Sequence, residues 1–173
     1  MIRPIRLFPD PVLKRTCDAV SMSEAEELIR DLVDTMRSLP RCVGLAAPQI
    51  GEPVRVAVVD VSSHPAATSH NGLLILISPL VTASRGREVG REGCQSLPGI
   101  TADVARAKRL TLSTQAAPGE QIWSAGLEAR AIQHELDHLD GMLILDRVAS
   151  VAAIHVRRQD AFSEAPGRRS DRS

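Results

Sequence analysis

Along this chain the spacing of apolar residues is irregular at first, then helical, then strand-like, then helical again. Pro4, Pro9 and Pro11 stand among apolar residues in positions 1–20, which suits an extended arm laid over a domain better than a helix. Ser23 with Glu26, anticipated by Ser21 with Glu24, makes a capping box. Behind it Ala25, Leu28, Leu32, Met36 and Leu39 recur at helical spacing with acids early and Arg37 late, which predicts an amphipathic helix ended by Pro40. Its apolar stripe is read as core.

Small residues then dominate Cys42–Gly51, read as a loop where another group approaches the backbone. Val54–Val61 is valine-rich and predicts a strand, Ser62–Gly72 a polar loop with His64 and His70 exposed, and Leu73–Leu80 a buried strand. After a bend, short strands are expected near Glu88–Val89 and at Ile100–Val104, Arg109–Thr114 and Gln121–Ser124, the last two joined by a Pro118-Gly119 turn. Helical spacing returns at Leu127–Leu139, preceded by Gly126 and stopped by Gly141. Met142–Val148 reads as a final strand, and no internal repeat is evident. Positions 157–173 hold five arginines and three acids with little that is apolar, so a disordered tail is expected there. The fold class is α+β: one domain over 1–156, with mostly antiparallel short strands around the second helix and an amphipathic helix near the N-terminus.

Composition narrows the function. Lys+Arg and Asp+Glu balance at 21 each, so no global field points to DNA or to an anionic membrane. With no Tyr, one Trp and two Phe, the stacking platforms of single-strand nucleic-acid binders are missing and the core must be aliphatic. Three cysteines, Cys17, Cys42 and Cys94, do not make a disulfide framework, which suggests a reducing compartment. No signal-like apolar run opens the chain, and the longest aliphatic stretch, Leu73–Ile77, falls far below the ~18–20 residues of a membrane span. A soluble cytoplasmic protein with no membrane partner is expected.

The chemistry concentrates in Gln133–Gly141. His134 and His138 are four positions apart, hence stacked on one helix face where two imidazoles can grip one metal ion. Glu135, turned about 100° from His134, sits where it can take a proton from water activated by that ion. Asp137 is read as structural. A catalytic site needs a third protein ligand. The extension H-E-x-x-H-x-x-G-x-x-H fails because Ile144 stands at its last position. The only downstream glutamate, Glu164, lies in the polar tail, a poor place for a rigid ligand, and Cys94 in Glu92–Ser96 is the best upstream candidate. In the small-residue loop, Gln49 offers a neutral amide able to hydrogen-bond a substrate oxygen.

Together these segments resemble the peptide deformylase family, whose motifs G-h-G-h-A-A-x-Q, E-G-C-h-S and Q-H-E-h-D-H (h apolar) correspond to Cys42–Gln49, Glu92–Ser96 and Gln133–His138. The likeness runs from about Phe8 to Arg147. It departs at Cys42, where the motif has its first Gly, and at Gln95, where it has an apolar residue. The resemblance implies that Cys94, His134 and His138 hold one divalent metal, Fe2+ foremost, with Zn2+, Ni2+ or Co2+ as alternatives; one thiolate and two imidazoles suit all four. It implies hydrolysis of the N-formyl group from the formylmethionine that opens a new polypeptide. Glu135 serves as base and then acid, and the Gln49 side chain and Gln95 backbone N–H donate to the oxyanion. By family position Val43, Leu45, Leu127 and Ala131 form the methionine pocket. Arg130 borders that pocket through its aliphatic stem, and Gly44 offers main-chain groups to an extended peptide. The partners implied are N-formyl-Met nascent peptides and, through the basic tail, the ribosome. The competing readings are an amidase for another N-acyl group, a non-catalytic metal-binding relative, and an H-E-x-x-H endopeptidase.

Overall fold

The computed structural model describes residues 1–156; the tail expected at 157–173 lies outside them. Its first helix, α1 (Met22–Ser38), starts where the earlier capping box predicts: Glu24 Oε2 accepts from the Ser21 backbone N–H at 3.0 Å and from the Ser21 hydroxyl. Three antiparallel sheets follow. The first is β1 (Gly44–Ala46), β2 (Val56–Val59) and β3 (Leu74–Ile77), in that order. The second orders β4 (Leu80–Arg85), β7 (Arg109–Ser113) and β8 (Ile122–Ala125), and the third β5 (Glu88–Gly93), β6 (Ile100–Arg106) and β9 (Ile154–Val156). Helix α2 (Gly126–Leu139) and a single helical turn, α3 (Ile144–Arg147), complete the set.

Strand β2 shows why its sequence does not alternate. Val56 and Val58 pack with Ala25, Ile29, Leu32 and Met36 of α1, while Ala57 and Val59 pack with Ala129, Ala131, Ile132 and Leu139 of α2. Both faces are covered, so every position is apolar and none is accessible. Helix α2 is thereby held on the inner face of the first sheet, with Leu110 and Leu112 of β7 closing the other side. A third cluster of Leu13, Leu97, Ala102, Val104, Leu143 and Ile144 joins the N-terminal arm to β6 and α3.

Several expectations need correction. Leu73–Leu80 is not one strand: Ser78 takes a positive φ of 45°, and Leu80, 64% exposed, opens β4 in a different sheet. β4 escaped notice because all six of its residues are exposed and carry no buried alternation. Met142–Val148 is not a strand; Asp146 accepts from the Leu143 N–H at 2.7 Å and starts the turn α3. Half of the small-residue loop is regular, since Gly44–Ala46 pairs with Ala57–Val59 before a 3-10 turn at Ala47–Ile50.

The arm is extended apart from a 3-10 turn at Pro11–Lys14. It touches each motif in turn: Arg6 N–H donates to Gln49 O at 2.8 Å, Phe8 N–H to Ser96 O at 3.0 Å, and Cys17 N–H to Leu139 O at 2.9 Å. Gly141, at φ +72°, permits the last contact, because a Cβ there would meet Lys14 O at 2.8 Å.

Candidate active site

Helix α2 presents His134 and His138 with ring centroids 5.1 Å apart and planes at 68°. Cys94, at the turn after β5, brings its Sγ to 3.3 Å from His138 Nε2, and one donor atom from each of the three residues lies within 4.8 Å of the others. The rings are oriented differently. Nδ1 of His134 is 3.0 Å from Glu92 Oε2, which leaves Nε2 to face the thiol, as a ligand held by a carboxylate behind it would be.

Glu92 anchors this corner. Two positions before Cys94, near the end of β5, it accepts from Arg106 Nε and Nη2 at 2.9 Å each and from Arg130 Nη1 at 2.8 Å. Arg106 also donates to Asp137 Oδ2 at 2.6 Å, and Arg147 Nε adds a 3.0 Å bond to the same oxygen. Burial alone would push the Glu92 carboxyl up, but His134 and Arg106 outweigh it and hold it at about 2. Both oxygens of Asp137 are thus held by arginines, which ties α2 to β6 and to α3. Glu92 and Arg106 carried no assigned role in the sequence. The available signal was Arg106 itself: Ala102, Val104 and Arg106 share the buried face of β6, and a charge on such a face needs partners.

Burial opposes charge on His134, yet the neighbouring Cys94 and Glu92 lift its ring well above the ordinary histidine range. The pocket thus favours a positive charge between thiol and imidazole, and a divalent ion meets that demand as a proton does. His138 is pushed the other way by burial, well below the ordinary range, so its lone pair stays available to a metal. A thiol and two imidazoles converging in a negative field fit a divalent transition metal.

Glu135 is 4% exposed, and its Oε2 has no hydrogen-bond partner among the described residues. Burial raises its carboxyl to about 7. Gly44 makes room for it: a Cβ at that position would stand 2.5 Å from Glu135 Oε1. Gln49 is fixed through Oε1, which accepts from the Ala46 N–H at 2.9 Å, so its NH2 end points to Ser96 Oγ at 3.3 Å and Cys94 Sγ at 3.7 Å. The amide aims donors into the site.

A cavity of about 380 Å³ opens beside these groups, lined by Cys42, Val43, Gly44, Gln49, Gln95, Leu127, Arg130, Ala131, His134 and Glu135 among others. Leu45 does not line it. Its side chain is fully buried in the cluster under α1, because neighbours on a strand face opposite ways and Gly44 is the one that faces Glu135. Arg130 lines the cavity by more than its stem: its guanidinium staples α2 to β5 through Glu88 O at 2.9 Å and Glu92. At the two departing positions, Cys42 Sγ donates to Gly44 O at 3.1 Å, and Gln95 Nε2 to Pro40 O at 3.4 Å. The positive φ next to this position, 58°, falls on Arg41 and not on Cys42, so the missing glycine costs no strain at its own position.

Residues 2–153 match the family model described as polypeptide deformylase. The chain belongs to that family. A peptide deformylase of Dictyoglomus thermophilum is 43% identical over 151 residues, 85% of this chain and 93% of the relative. The crystal structure of a peptide deformylase from Legionella pneumophila superposes with a TM-score of 0.76 at 33% identity, covering 86% of this chain and 87% of the other. A class I type b peptide deformylase from Acinetobacter baumannii, solved with Met-Ala-Ser bound, gives a TM-score of 0.73 at 28% identity over 86% of this chain and 99% of the other. Family membership makes the chain a hydrolase. Among the described residues no helix is long and apolar enough to cross a membrane.

Proposed function

We propose that this chain hydrolyses the N-formyl group from the formylmethionine at the start of new polypeptides in the cytoplasm, releasing formate. The observation that carries the reading is the buried, unpartnered Oε2 of Glu135, raised toward neutrality beside Cys94, His134 and His138. Those three residues would hold a divalent metal, Fe2+ by resemblance with Zn2+, Ni2+ or Co2+ able to replace it, and such an ion supplies the Lewis acidity that brings water toward ionisation near pH ~7. Glu135 accepts the proton as the water oxygen attacks the formyl carbon. The formyl oxygen gains negative charge and is met by the Gln49 NH2 and the Gln95 backbone N–H. Glu135 then delivers its proton to the departing nitrogen, the C–N bond breaks, and formate and a free amine leave.

The methionine side chain would enter among Val43, Leu127 and Ala131, with Arg130 at the rim and Gly44 offering main-chain groups to the peptide. The ribosome reading rests on the 157–173 tail, outside the described residues. The test is formate release from a formyl-Met-Ala-Ser peptide by Fe2+-loaded protein purified without oxygen, with metal content measured on the same sample. Release that vanishes in Glu135→Gln at unchanged metal content supports the assignment. Metal-replete protein that leaves this peptide intact but hydrolyses another N-acyl peptide would favour the amidase reading, and one inert to all of them the non-catalytic relative.

A further inference from the structure

The zero net charge of the chain conceals a local excess. Arg85, Arg87, Lys108 and Arg109 gather at one corner, where the β4–β5 and β6–β7 turns meet. Arg85 and Arg109 are direct cross-strand partners, and the stem of Lys108 lies against Gly86, whose Cβ would stand 3.2 Å from Lys108 Cβ. All four are exposed, and among the described residues none has an ion-pair partner. One carboxylate, Glu88, belongs to the same corner. Like charges directly opposite on paired strands are destabilising, so an Arg–Arg pair is best tolerated when an anion lies between them.

The chain's one tryptophan shares this surface. Directly opposed residues point to the same side of a sheet, and the register sets Ala83, Thr111 and Trp123 in one row and Arg85, Arg109 and Ala125 in the next row on that side. Leu110 and Leu112 face the core on the other side. The outer face is thus a shallow groove of about 350 Å³ floored by Ala83 and Thr111, with two guanidiniums and an indole that is 54% exposed.

We propose that this face binds a single-stranded segment of RNA, with phosphates on the four cations and one base stacked on Trp123. The charge calls for a polyanion, and the adjacent indole favours a polyanion that carries flat rings, since every base offers a π-face. The chain lacks a row of aromatics for successive bases, but one indole suffices to stack one base. Arg87 and Cys94 flank β5 seven residues apart, or ~23 Å at ~3.3 Å per residue, so the cationic corner lies clear of the candidate active site. The inference does not depend on the deformylase reading.

The test uses the full-length, metal-loaded protein and a fluorescein-labelled, U-rich RNA of about 12 nucleotides. Four phosphate contacts at ~0.7 each predict a log–log salt slope of about −2.8, a loss of roughly 50-fold in affinity between 50 and 200 mM salt. The double variant Arg85→Ala/Arg109→Ala should halve the slope to about −1.4, with far-UV circular dichroism unchanged as the control for folding. Binding of unlabelled RNA should also quench Trp123, which reports without ambiguity because no other indole is present. An affinity and slope unchanged in the double variant overturn the proposal, as does binding that leaves the indole emission unaltered. Capture by phosphatidylserine vesicles or an acidic peptide, with no binding of RNA, overturns it in favour of those partners.

Discussion

Gly44→Ala tests the site through a single methyl group. The new Cβ would stand 2.5 Å from Glu135 Oε1 and 3.0 Å from its Cδ and Cγ, whereas ordinary contact begins at 3.4 Å. The carboxylate must therefore retreat by 0.9 Å, the difference between those two separations. Glu135 is 4% exposed, so there is little free space to receive it. Gly44 has no positive φ, so alanine fits the backbone and β1 keeps its pairing with β2. A reacting group misplaced by ~1 Å costs on the order of 100-fold in rate, about 2.7 kcal/mol of barrier. Steady-state formate release should show kcat down about 100-fold. KM and metal content should stay near wild type, and Tm should move by no more than a few degrees. A kcat within about threefold of wild type at full metal occupancy would refute the reasoning, because a base that tolerates such a shift is not positioned by Gly44.

Other outcomes follow from the same geometry. Arg106→Ala leaves Glu92 and Asp137 as buried, under-compensated charges, and urea unfolding should show a loss of about 3–5 kcal/mol; a loss below ~1 would mean that Arg130 and Arg147 suffice. Glu92→Gln removes the carboxylate behind His134 and should weaken metal binding about 10- to 100-fold by competitive chelator titration, while unchanged affinity would deny it that role. Burial, with Glu135 adding to it, pushes the Cys42 thiol up to about 12. Its alkylation, followed by peptide mapping of metal-loaded protein, should keep rising tenfold per pH unit through pH ~9, where a free cysteine levels off near ~8.5. The sign for stability follows: an unfolded chain ionises this thiol above ~8.5 and the folded one does not, so Cys42 subtracts stability as pH rises beyond that point. A labelling plateau below pH ~8 would contradict the burial.

What the sequence revealed were features that are local. The helical spacing of Ala25, Leu32 and Met36, the box at Ser21 and Glu24, and His134 with Glu135 and His138 each depend on residues within one or two turns, and each was legible. Cys94 needed the resemblance as well, since its partners are about 40 residues away. Leu45 was misplaced because a loop has no inside or outside until it pairs; once Gly44–Ala46 joins β2, alternation sends Leu45 to α1. The Glu92–Arg106–Asp137 network depends on the β5–β6 register and on α2 lying against it, neither of which a single chain pattern encodes. β4 could not be seen because its identity rests on pairing with β7 rather than on burial.

The arm carries a consequence for the order of events during synthesis. Its residues leave the ribosome before the segments they pack on, and Cys17 has to wait for Leu139 and Lys14 for Gly141, more than 120 positions later. At ~5–20 residues per second that interval is on the order of 6–25 s. During it the first strands can form, but the arm has nothing to close upon, and the segments bearing Gln49, Cys94 and His138 are not yet tied together. A newborn copy is thus chemically mute until the arm folds back over the end of α2.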